Sequence, residues 1–582
     1  MNLNPQQKQA VEFGNGPLLI LAGAGSGKTR ALTCRAAYLV KDKVVDPQRI
    51  LLVTFTNKAA KEMKGRVKKL VPGAELPWAG TFHSFCCRIL RIDGYATNLD
   101  KNFVIFDEDD SLAAIKKAMK NLQIELKPYR PRSIKAAISA AKNELIFALE
   151  YQQMARGLFS ETVARVYREY QKLLAEYNAL DFDDLLTQAV KLLQQSRETA
   201  AKYQEKFLYV LVDEYQDTNK AQYELTKLLT KKHRNLTAVG DFSQSIYSFR
   251  GADFRNLNNL RTDFPDLTII NLEQNYRSTQ NILNAANQVI VKNRLHPILR
   301  LWTNDQAGPK LKLFEAVDEK EEAAFIANQV KQENYRDCAV LYRTNAQSRT
   351  IEEEFLKQSI PYLLVGGVRF YQRKEIKDCL AYLKLLVNPK DKVSRERLEK
   401  LGKTSLNKFL TFQSAAKTTK KILKQVLKAT NYLDRFDPKD EEDLMRLENI
   451  KELTSVAQEY PHLNDFLQVT ALAEDTDALK DNPNSVTLMT LHASKGLEFK
   501  TVFMVGMEEG LFPHSRSLMD REEMEEERRL CYVGITRTKQ NLYFTFTRRR
   551  LYFGSFGANS VSRFLGDINE NLLESVNDNQ GH

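Results

Sequence analysis

The sequence predicts an α/β protein: two core domains with parallel sheets, each interrupted by a mainly helical insertion. Three observations predict it. Short apolar runs of strand length alternate with polar turns and amphipathic helices in both halves of the chain. The first such run, Leu18 to Leu21, feeds a glycine-rich loop that opens a helix at Lys28. Two stretches, 107–196 and 388–483, drop the strand-like runs and keep only three-to-four-residue apolar spacing with charged faces.

The first unit of this pattern, PLLILAGAGSGKT from Pro17 to Thr29, is a phosphate cradle. Gly23, Gly25 and Gly27 permit a tight loop whose backbone N–H groups face phosphates, and the helix N-terminus adds partial positive charge. Lys28 can reach the β- and γ-phosphates, and Thr29 can place its hydroxyl on Mg²⁺. Ala24, Gly25, Ser26, Gly27, Lys28 and Thr29 are therefore the candidate nucleotide loop. The general pattern has Gly where this chain has Ala22, a residue small enough for the same bend. A merely glycine-rich turn is the alternative, and the strand–loop–helix context favours the nucleotide.

A chain of 582 residues is long enough for about four domains. With 43% hydrophobic and 27% charged residues it is globular rather than disordered. The formal net charge of +12, from 86 basic and 74 acidic residues, favours a polyanionic partner without naming one. Cys34, Cys86, Cys87, Cys338, Cys379 and Cys531 are scattered with no CxxC pair, which speaks against zinc and a disulfide framework and for a reducing, cytoplasmic setting. The N-terminus lacks the apolar core of a signal peptide, and no apolar run is long enough to span a membrane.

Ahead of the cradle, Asn4-Pro5 reads as a cap and helix start, with an ordinary solvated helix as the alternative. After it, Arg49 to Met63 repeats strand, turn and helix, placing Thr54, Thr56, Asn57 and Lys58 beyond a strand's carboxyl end, where open α/β sheets put their ligands. Gly80 to Phe85 offers hydroxyls, an imidazole and aromatics suited to phosphates and bases; an aromatic core segment fits it nearly as well.

Strand-like sequence resumes at Phe207 to Val212 and delivers Asp213 and Glu214 at its end. Phosphate cleavage needs one carboxylate to hold Mg²⁺ and a second to orient and deprotonate the attacking water. Leu236 to Val239 then delivers Asp241 and Gln244, followed by Tyr247, Phe249 and Arg250. A glutamine there can sense a γ-phosphate, while aromatics interleaved with arginine suit base stacking. Their closeness offers a route from ATP state to grip on a strand.

These pieces, with others in register, resemble superfamily 1A DNA helicases of the UvrD/Rep/PcrA type. The resemblance rests on NPQQ, AGAGSGKT, VTFTNKAAKEM, GTFHSFCCRIL, VDEYQDTN, VGDFSQSIYSFRGAD, NYRST, LYRTNAQSR, VGGVRFYQRKEIKD, VTLMTLHASKGLEFKTVFMVGMEEGLFPH and EEERRLCYVGITRTKQNLYF, spread over nearly the whole chain. It implies RecA-like P-loop domains, ATP and Mg²⁺ as cofactors, and 3′ to 5′ movement on DNA. It implies that Gln7 reads the adenine edge, Arg30 lies against the base and Tyr276 stacks on it, with Glu498 at the ribose. Lys28 and Thr29 keep their roles, Asp213 is the magnesium carboxylate and Glu214 the catalytic base. Gln244 becomes the γ-phosphate sensor, with Arg277 and Arg537 as the arginines that reach the transferring phosphoryl group. Tyr276, Arg277, Glu498 and Arg537 would be the moving half of the ATP site. Phe55, Thr81, His83, Tyr247, Phe249, Arg250, His492 and Lys495 would face single-stranded DNA. Phe249 stands where relatives commonly carry Trp, keeping a smaller stacking face.

The expected layout is a first core over 1–106 and 197–275 holding a helical insert at 107–196. A second core over 276–387 and 484–573 holds a shortened insert at 388–483, and 574–582 forms a disordered tail. Strands at LKLFEAV and CAVLYRT flank the helix EKEEAAFIANQVKQ, a second α/β unit without a cradle. The glycine-centred, duplex-binding hairpin of relatives is not recognisable, and neither their long C-terminal extension nor a nuclease-like carboxylate cluster is expected. The expected partners are single-stranded and tailed duplex DNA, with self-association and repair or replication accessory proteins left open, and no membrane. The expected activity is an ATP-dependent helicase and translocase; the alternative is a translocase that displaces proteins but unwinds duplex poorly as a monomer.

Overall fold

The computed structural model describes residues 3–125, 128–248, 251–366, 368–438, 440–474, 484–552 and 555–576. The chain folds as two compact units: the first spans 1–276 and 296–304, the second 277–295 and 305–582.

In the first unit, strands β1 (Leu18–Ala22), β2 (Ile50–Thr54) and β3 (Ala79–Thr81) precede a small parallel pair, β4 (Val104–Phe106) and β5 (Ala179–Asp181). Strands β6 (Tyr209–Val212), β7 (Leu236–Gly240) and β8 (Thr268–Leu272) complete a six-stranded parallel sheet of order β3-β2-β6-β7-β1-β8. β1, β2, β6 and β7 are buried along their whole length. Helices cover both faces of such a sheet, so its strands read as continuous apolar runs.

The four helices Glu108–Asn121, Pro131–Asn143, Ala148–Met154 and Leu158–Glu176 enclose a core of their own around Ile115, Ile134, Val163 and Tyr167. Helix Phe182–Gln195, expected inside this insert, instead packs Leu185, Leu186, Val190 and Leu193 into the core beneath the sheet. An amphipathic helix carries the same spacing whichever core it faces, so its sequence did not fix the boundary.

The second unit contains β9 (Leu311–Ala316), β10 (Cys338–Tyr342), β11 (Tyr362–Val365), β12 (Val486–Thr490), β13 (Phe499–Met504) and β14 (Thr538–Thr547). A short antiparallel ribbon follows, β15 (Arg550–Tyr552) with β16 (Ser555–Gly557). With β17 (Leu573–Ser575) at one edge, the main sheet is parallel in the order β11-β12-β10-β13-β14-β9-β17. Glu574 and Ser575, expected in a disordered tail, are therefore strand residues paired with Lys312 and Leu313. Residues 577–582 of that tail and 475–483 of the second insert lie outside the described residues.

The insert expected from 388 shares its core with earlier residues. Phe370, Ile376, Leu380, Tyr382 and Leu383 pack with Leu423, Val426, Leu453 and Phe466. The helix Glu441–Glu459 is buried on two sides. Ile450, Leu453 and Val456 face that apolar core, while Glu448, Asn449 and Glu452 bond His514, Arg373 and Arg349 of the same unit.

The segment 296–304, expected in the second core, belongs to the first unit. Its Leu301 is buried against Gly23, where an added Cβ would meet Leu301 Cδ2 at 2.2 Å. Trp302 N donates to Glu273 O at 3.2 Å, and His296 stacks on Phe242 with ring centroids 5.7 Å apart. A segment this short has no periodicity to reveal which core it caps.

Candidate ATP site and nucleic-acid face

The cradle forms because β1 ends in residues that can bend. Gly25 and Gly27 adopt φ of 67° and 84°, left-handed values that an L side chain resists. Gly27 caps the helix Lys28–Lys41 with no side-chain hydrogen bond, so no cap side chain covers the helix N-terminus, the arrangement that binds anions. An added Cβ at Gly27 would also meet Gln7 Nε2 at 3.0 Å. That amide donates to Ser26 O at 2.9 Å, and Gln7 is 1% exposed, so the helix Pro5–Glu12 is fastened to the loop.

Tyr276 also rides on this unit. Its N–H donates to Gly25 O at 3.0 Å, and Asn275 Nδ2 donates to Ala24 O at 2.7 Å. Asn4 Nδ2 donates to the Tyr276 hydroxyl at 2.8 Å, leaving the ring half exposed. The expectation that Tyr276 travels with the second core is thus corrected: the first unit runs through Tyr276, and the second begins at Arg277. Arg30 is exposed on the first turn of the cradle helix.

Beyond β6 the two acids take different environments. Asp213 is buried, and burial together with the neighbouring Glu214 charge pushes its carboxyl up to about 7. Its Oδ2 accepts a long hydrogen bond from the Thr29 hydroxyl at 3.4 Å, whereas Oδ1 is buried without a hydrogen-bond partner among the described residues. Lys28 Nζ is buried without one as well and lies 3.7 Å from Glu214 Oε2. Buried polar atoms are rarely left unsatisfied, and orphans of both signs side by side suit a metal-bound polyphosphate. Among the described residues no three His, Cys, Asp or Glu side chains gather as a metal site. One carboxylate and one hydroxyl are what Mg²⁺ takes from a protein when phosphates and water supply the rest, so Thr29 and Asp213 fit it.

Glu214 sits at φ 52°, a left-handed value for a residue with a side chain, and strain of this kind collects at functional sites. The Gln244 amide, buried, donates to Asp241 Oδ2, and Asp241 Oδ1 accepts from Ser243 N at 3.0 Å. Burial raises the Asp241 pKa.

In the second unit, Arg277 Nε donates to Glu498 Oε2 at 2.7 Å and its NH1 to Thr536 O at 3.0 Å. Lys539 Nζ lies 2.8 Å from Glu498 Oε1, and the two cations hold the Glu498 carboxyl below its usual range against a partial burial cost. Arg537 is buried, donating to Val533 O at 2.9 Å, Leu497 O at 3.3 Å and Thr536 Oγ1 at 3.1 Å.

Of the expected DNA-facing residues of the first unit, Phe55, Thr81, His83 and Tyr247 lie at the carboxyl ends of β2, β3 and β7. Thr54 pairs with Thr81 in register, bringing Phe55 to a T-shaped contact with Phe82 at 6.1 Å. Thr81 caps the helix Phe82–Asp93, its hydroxyl accepting from Ser84 N at 3.2 Å. Burial lowers the His83 pKa, so its imidazole is neutral at pH 7 and offers a ring and a hydrogen bond rather than a charge. Tyr247 is half buried on the loop beyond β7; Phe249 and Arg250 lie outside the described residues. His492 and Lys495 belong to the second unit, in the turn between β12 and β13.

Sequence reasoning missed two residues here. Phe182 is 51% exposed and meets the His83 ring edge-on at 5.8 Å, adding an aromatic face beside β3. Its signal was an aromatic directly after the cap Asp181, at a position that an inward-facing helix leaves outside. Gln216 is fully buried between the ends of β6 and β7; a glutamine two residues past a strand-end acid was its only mark.

Comparison with known proteins agrees with this geometry. Residues 3–265 match the UvrD/REP helicase N-terminal domain, and residues 270–416 and 403–549 match the UvrD-like helicase C-terminal domain. The ATP-dependent DNA helicase PcrA of Staphylococcus epidermidis is 44% identical over 636 aligned positions, covering 99% of this chain and 87% of that protein. PcrA of Staphylococcus aureus gives the same figures, and PcrA of Bacillus subtilis is 44% identical over 641 positions with the same coverage. The alignments are longer than the 582-residue chain, so these relatives carry internal segments that it lacks. With its cradle, its strand-end carboxylates and both domain matches in order, the chain belongs to the UvrD/Rep helicase family.

Proposed function

We propose that this protein is an ATP-dependent DNA helicase and single-stranded DNA translocase, moving 3′ to 5′ and acting in DNA repair or replication. One observation carries the reading. The β1 cradle and the β6 carboxylates share a sheet edge with the aromatic ends of β2 and β3 and the β7 loop, so ATP chemistry and strand grip are built on one framework.

Gln7 reads the adenine edge, Tyr276 stacks on the base with Arg30 against it, and Glu498 meets the ribose. Lys28 neutralises the β- and γ-phosphates, which are wrapped by N–H groups of the loop from Ala24 to Gly27. Thr29 and Asp213 would hold Mg²⁺, which when bound would neutralise charge at the phosphates. Glu214 takes the proton of the attacking water, Gln244 senses the γ-phosphate, and Arg277 and Arg537 stabilise the transferring phosphoryl group. Arg277 must exchange its Glu498 bond to do so, and Arg537 its backbone carbonyls, which makes hydrolysis depend on a conformational step. Phe55, Thr81, His83, Tyr247, Phe249, Arg250 and Phe182 on one unit, and His492 and Lys495 on the other, grip the strand in turn.

Tailed duplex DNA is the second partner. Between 388 and 435 the sequence carries 13 Lys and Arg against 4 Asp and Glu, and Lys403, Lys408, Lys421, Lys424 and Lys428 are all exposed. Such a surface binds phosphates without reading sequence. All six cysteines are unpaired thiols, which supports a cytoplasmic setting, and among the described residues no helix is long and apolar enough to cross a membrane.

Lys28→Ala and Glu214→Gln should each lower DNA-stimulated ATP hydrolysis by about 10²-fold or more, as loss of a general base does, while single-stranded DNA binding persists. Near-normal turnover of Glu214→Gln contradicts its role as base. The length missing relative to PcrA favours a second reading, a motor that strips proteins from DNA but unwinds poorly as a monomer. Strand separation on a 3′-tailed duplex, set beside streptavidin displacement from single strands, separates the two.

A further inference from the structure

A buried primary amide has two donor hydrogens and one acceptor oxygen, and at Gln216 each kind is matched to a specific partner. Nε2 donates to Glu214 Oε2 at 2.5 Å and to Asp217 Oδ2 at 3.2 Å. Oε1 accepts from Asp241 N at 2.9 Å, and the Gln216 backbone carbonyl accepts from the Ser245 hydroxyl at 3.3 Å. The side chain is 0% exposed, and Gly240 is close enough that an added Cβ would meet Gln216 Oε1 at 2.9 Å. The amide is thus locked across the gap between β6 and β7.

Its two ends touch different parts of the site. One end holds the same Glu214 oxygen that faces Lys28 Nζ at 3.7 Å. Because the Glu214 backbone is left-handed, this bond fixes a carboxylate whose main chain alone would not settle there. The other end holds the first residue of the turn whose Gln244 amide bonds the Asp241 carboxylate. The same loop continues to Tyr247 on the nucleic-acid face.

We propose that Gln216 is a positioning residue for ATP hydrolysis: it orients the Glu214 carboxylate and makes that orientation follow the Asp241–Gln244 turn. The inference rests on the reading of Glu214 as base. Gln216 touches neither nucleotide nor metal in this role. It carries the position of the turn, and through it the strand-bound state, to the group that activates water.

The test compares Q216M, which keeps the volume and removes the amide, with Q216E, which keeps an acceptor for Asp241 N but sets a carboxylate against Glu214. Both are read with single-stranded DNA at saturation. Expected for both is a fall in kcat of about 10- to 100-fold, the usual cost of losing a group that orients a reacting one. KM for ATP, affinity for a fluorescent ATP analogue and affinity for single-stranded DNA should stay within about twofold, since no binding group is removed. In single-turnover measurements the Q216M/E214Q double variant should be no slower than E214Q alone, because both changes disable one device. Wild-type kcat in Q216M, a loss confined to KM, or a double variant slower by the full Q216M factor each overturns the positioning role. Retained turnover in E214Q would instead remove the base, and the proposal with it; turnover lost in E214Q but kept in Q216M overturns the positioning role alone.

Discussion

What surrounds each residue sets the two adjacent acids apart. Asp213 is enclosed, with its nearest compensation in Thr29 and Lys28, and its carboxyl titrates near 7; Glu214 turns towards Lys28 and the Gln216 amide. A carboxyl raised from its ordinary value near 3.8 to about 7 keeps its proton in the ligand-free fold at mildly acidic pH. By itself it stabilises the fold at low pH and loses that contribution as pH rises through 7. Binding of a magnesium–nucleotide complex must displace this proton, so affinity should weaken as pH falls from about 7.5 to 6. Titration calorimetry in buffers of different ionisation enthalpy should register proton release that Asp213→Asn abolishes. Equal release in wild type and variant contradicts the account. Lys28, Thr29, Asp213 and Glu214 could be picked out as candidates because a cradle and a strand-end acid pair have few other uses, and the fold brings them together. Gln216 and Asn275 were not, since a polar side chain declares its partner only when the fold brings one to it; Asn4 was legible as a helix cap, which it is, while its bond to Tyr276 needed the fold.

At the scale of elements, the long apolar strands and the amphipathic helices were legible, whereas short strands such as β5, inside the stretch read as helical, and the allegiances of the helices were not. The continuous apolar runs of β1, β2, β6 and β7 read as strands covered on both faces, as they are. Helix Phe182–Gln195 looked like its neighbours in the insert yet packs under the sheet, because periodicity reports that a face is buried and not against what. Helix Glu441–Glu459 shows the same limit, with an apolar face and a polar stripe both covered. The junction between insert and sheet domain is held by Lys142, 1% exposed, with Nζ 2.6 Å from Asp181 Oδ2 and 2.8 Å from Asp184 Oδ1. Removing the cation strands two buried carboxylates, so Lys142→Met should cost about 3–5 kcal/mol in urea unfolding. Loss below about 1 kcal/mol, the range of exposed ion pairs, would show the junction to be held elsewhere.

At the scale of the molecule, the order of motifs along the chain specified the family, while the partition into units needed the fold. Residues 296–304 return to the first unit to close over Gly23, a crossing that no composition shift announces. The segment 388–435 carries a basic surface, and replacing Lys421, Lys424 and Lys428 with Gln should weaken binding to tailed duplex more than to single strands. The salt dependence of duplex affinity should flatten correspondingly. Equal loss on both substrates would assign those lysines to the strand path instead.

In the proposed function, one framework couples ATP hydrolysis to a grip on single-stranded DNA. Steady-state ATP hydrolysis by the wild-type protein, titrated with single-stranded DNA and in parallel with single-stranded RNA, tests it most directly. Turnover should rise steeply and saturably with single-stranded DNA and be lost in Glu214→Gln. Turnover unchanged by saturating single-stranded DNA would contradict it.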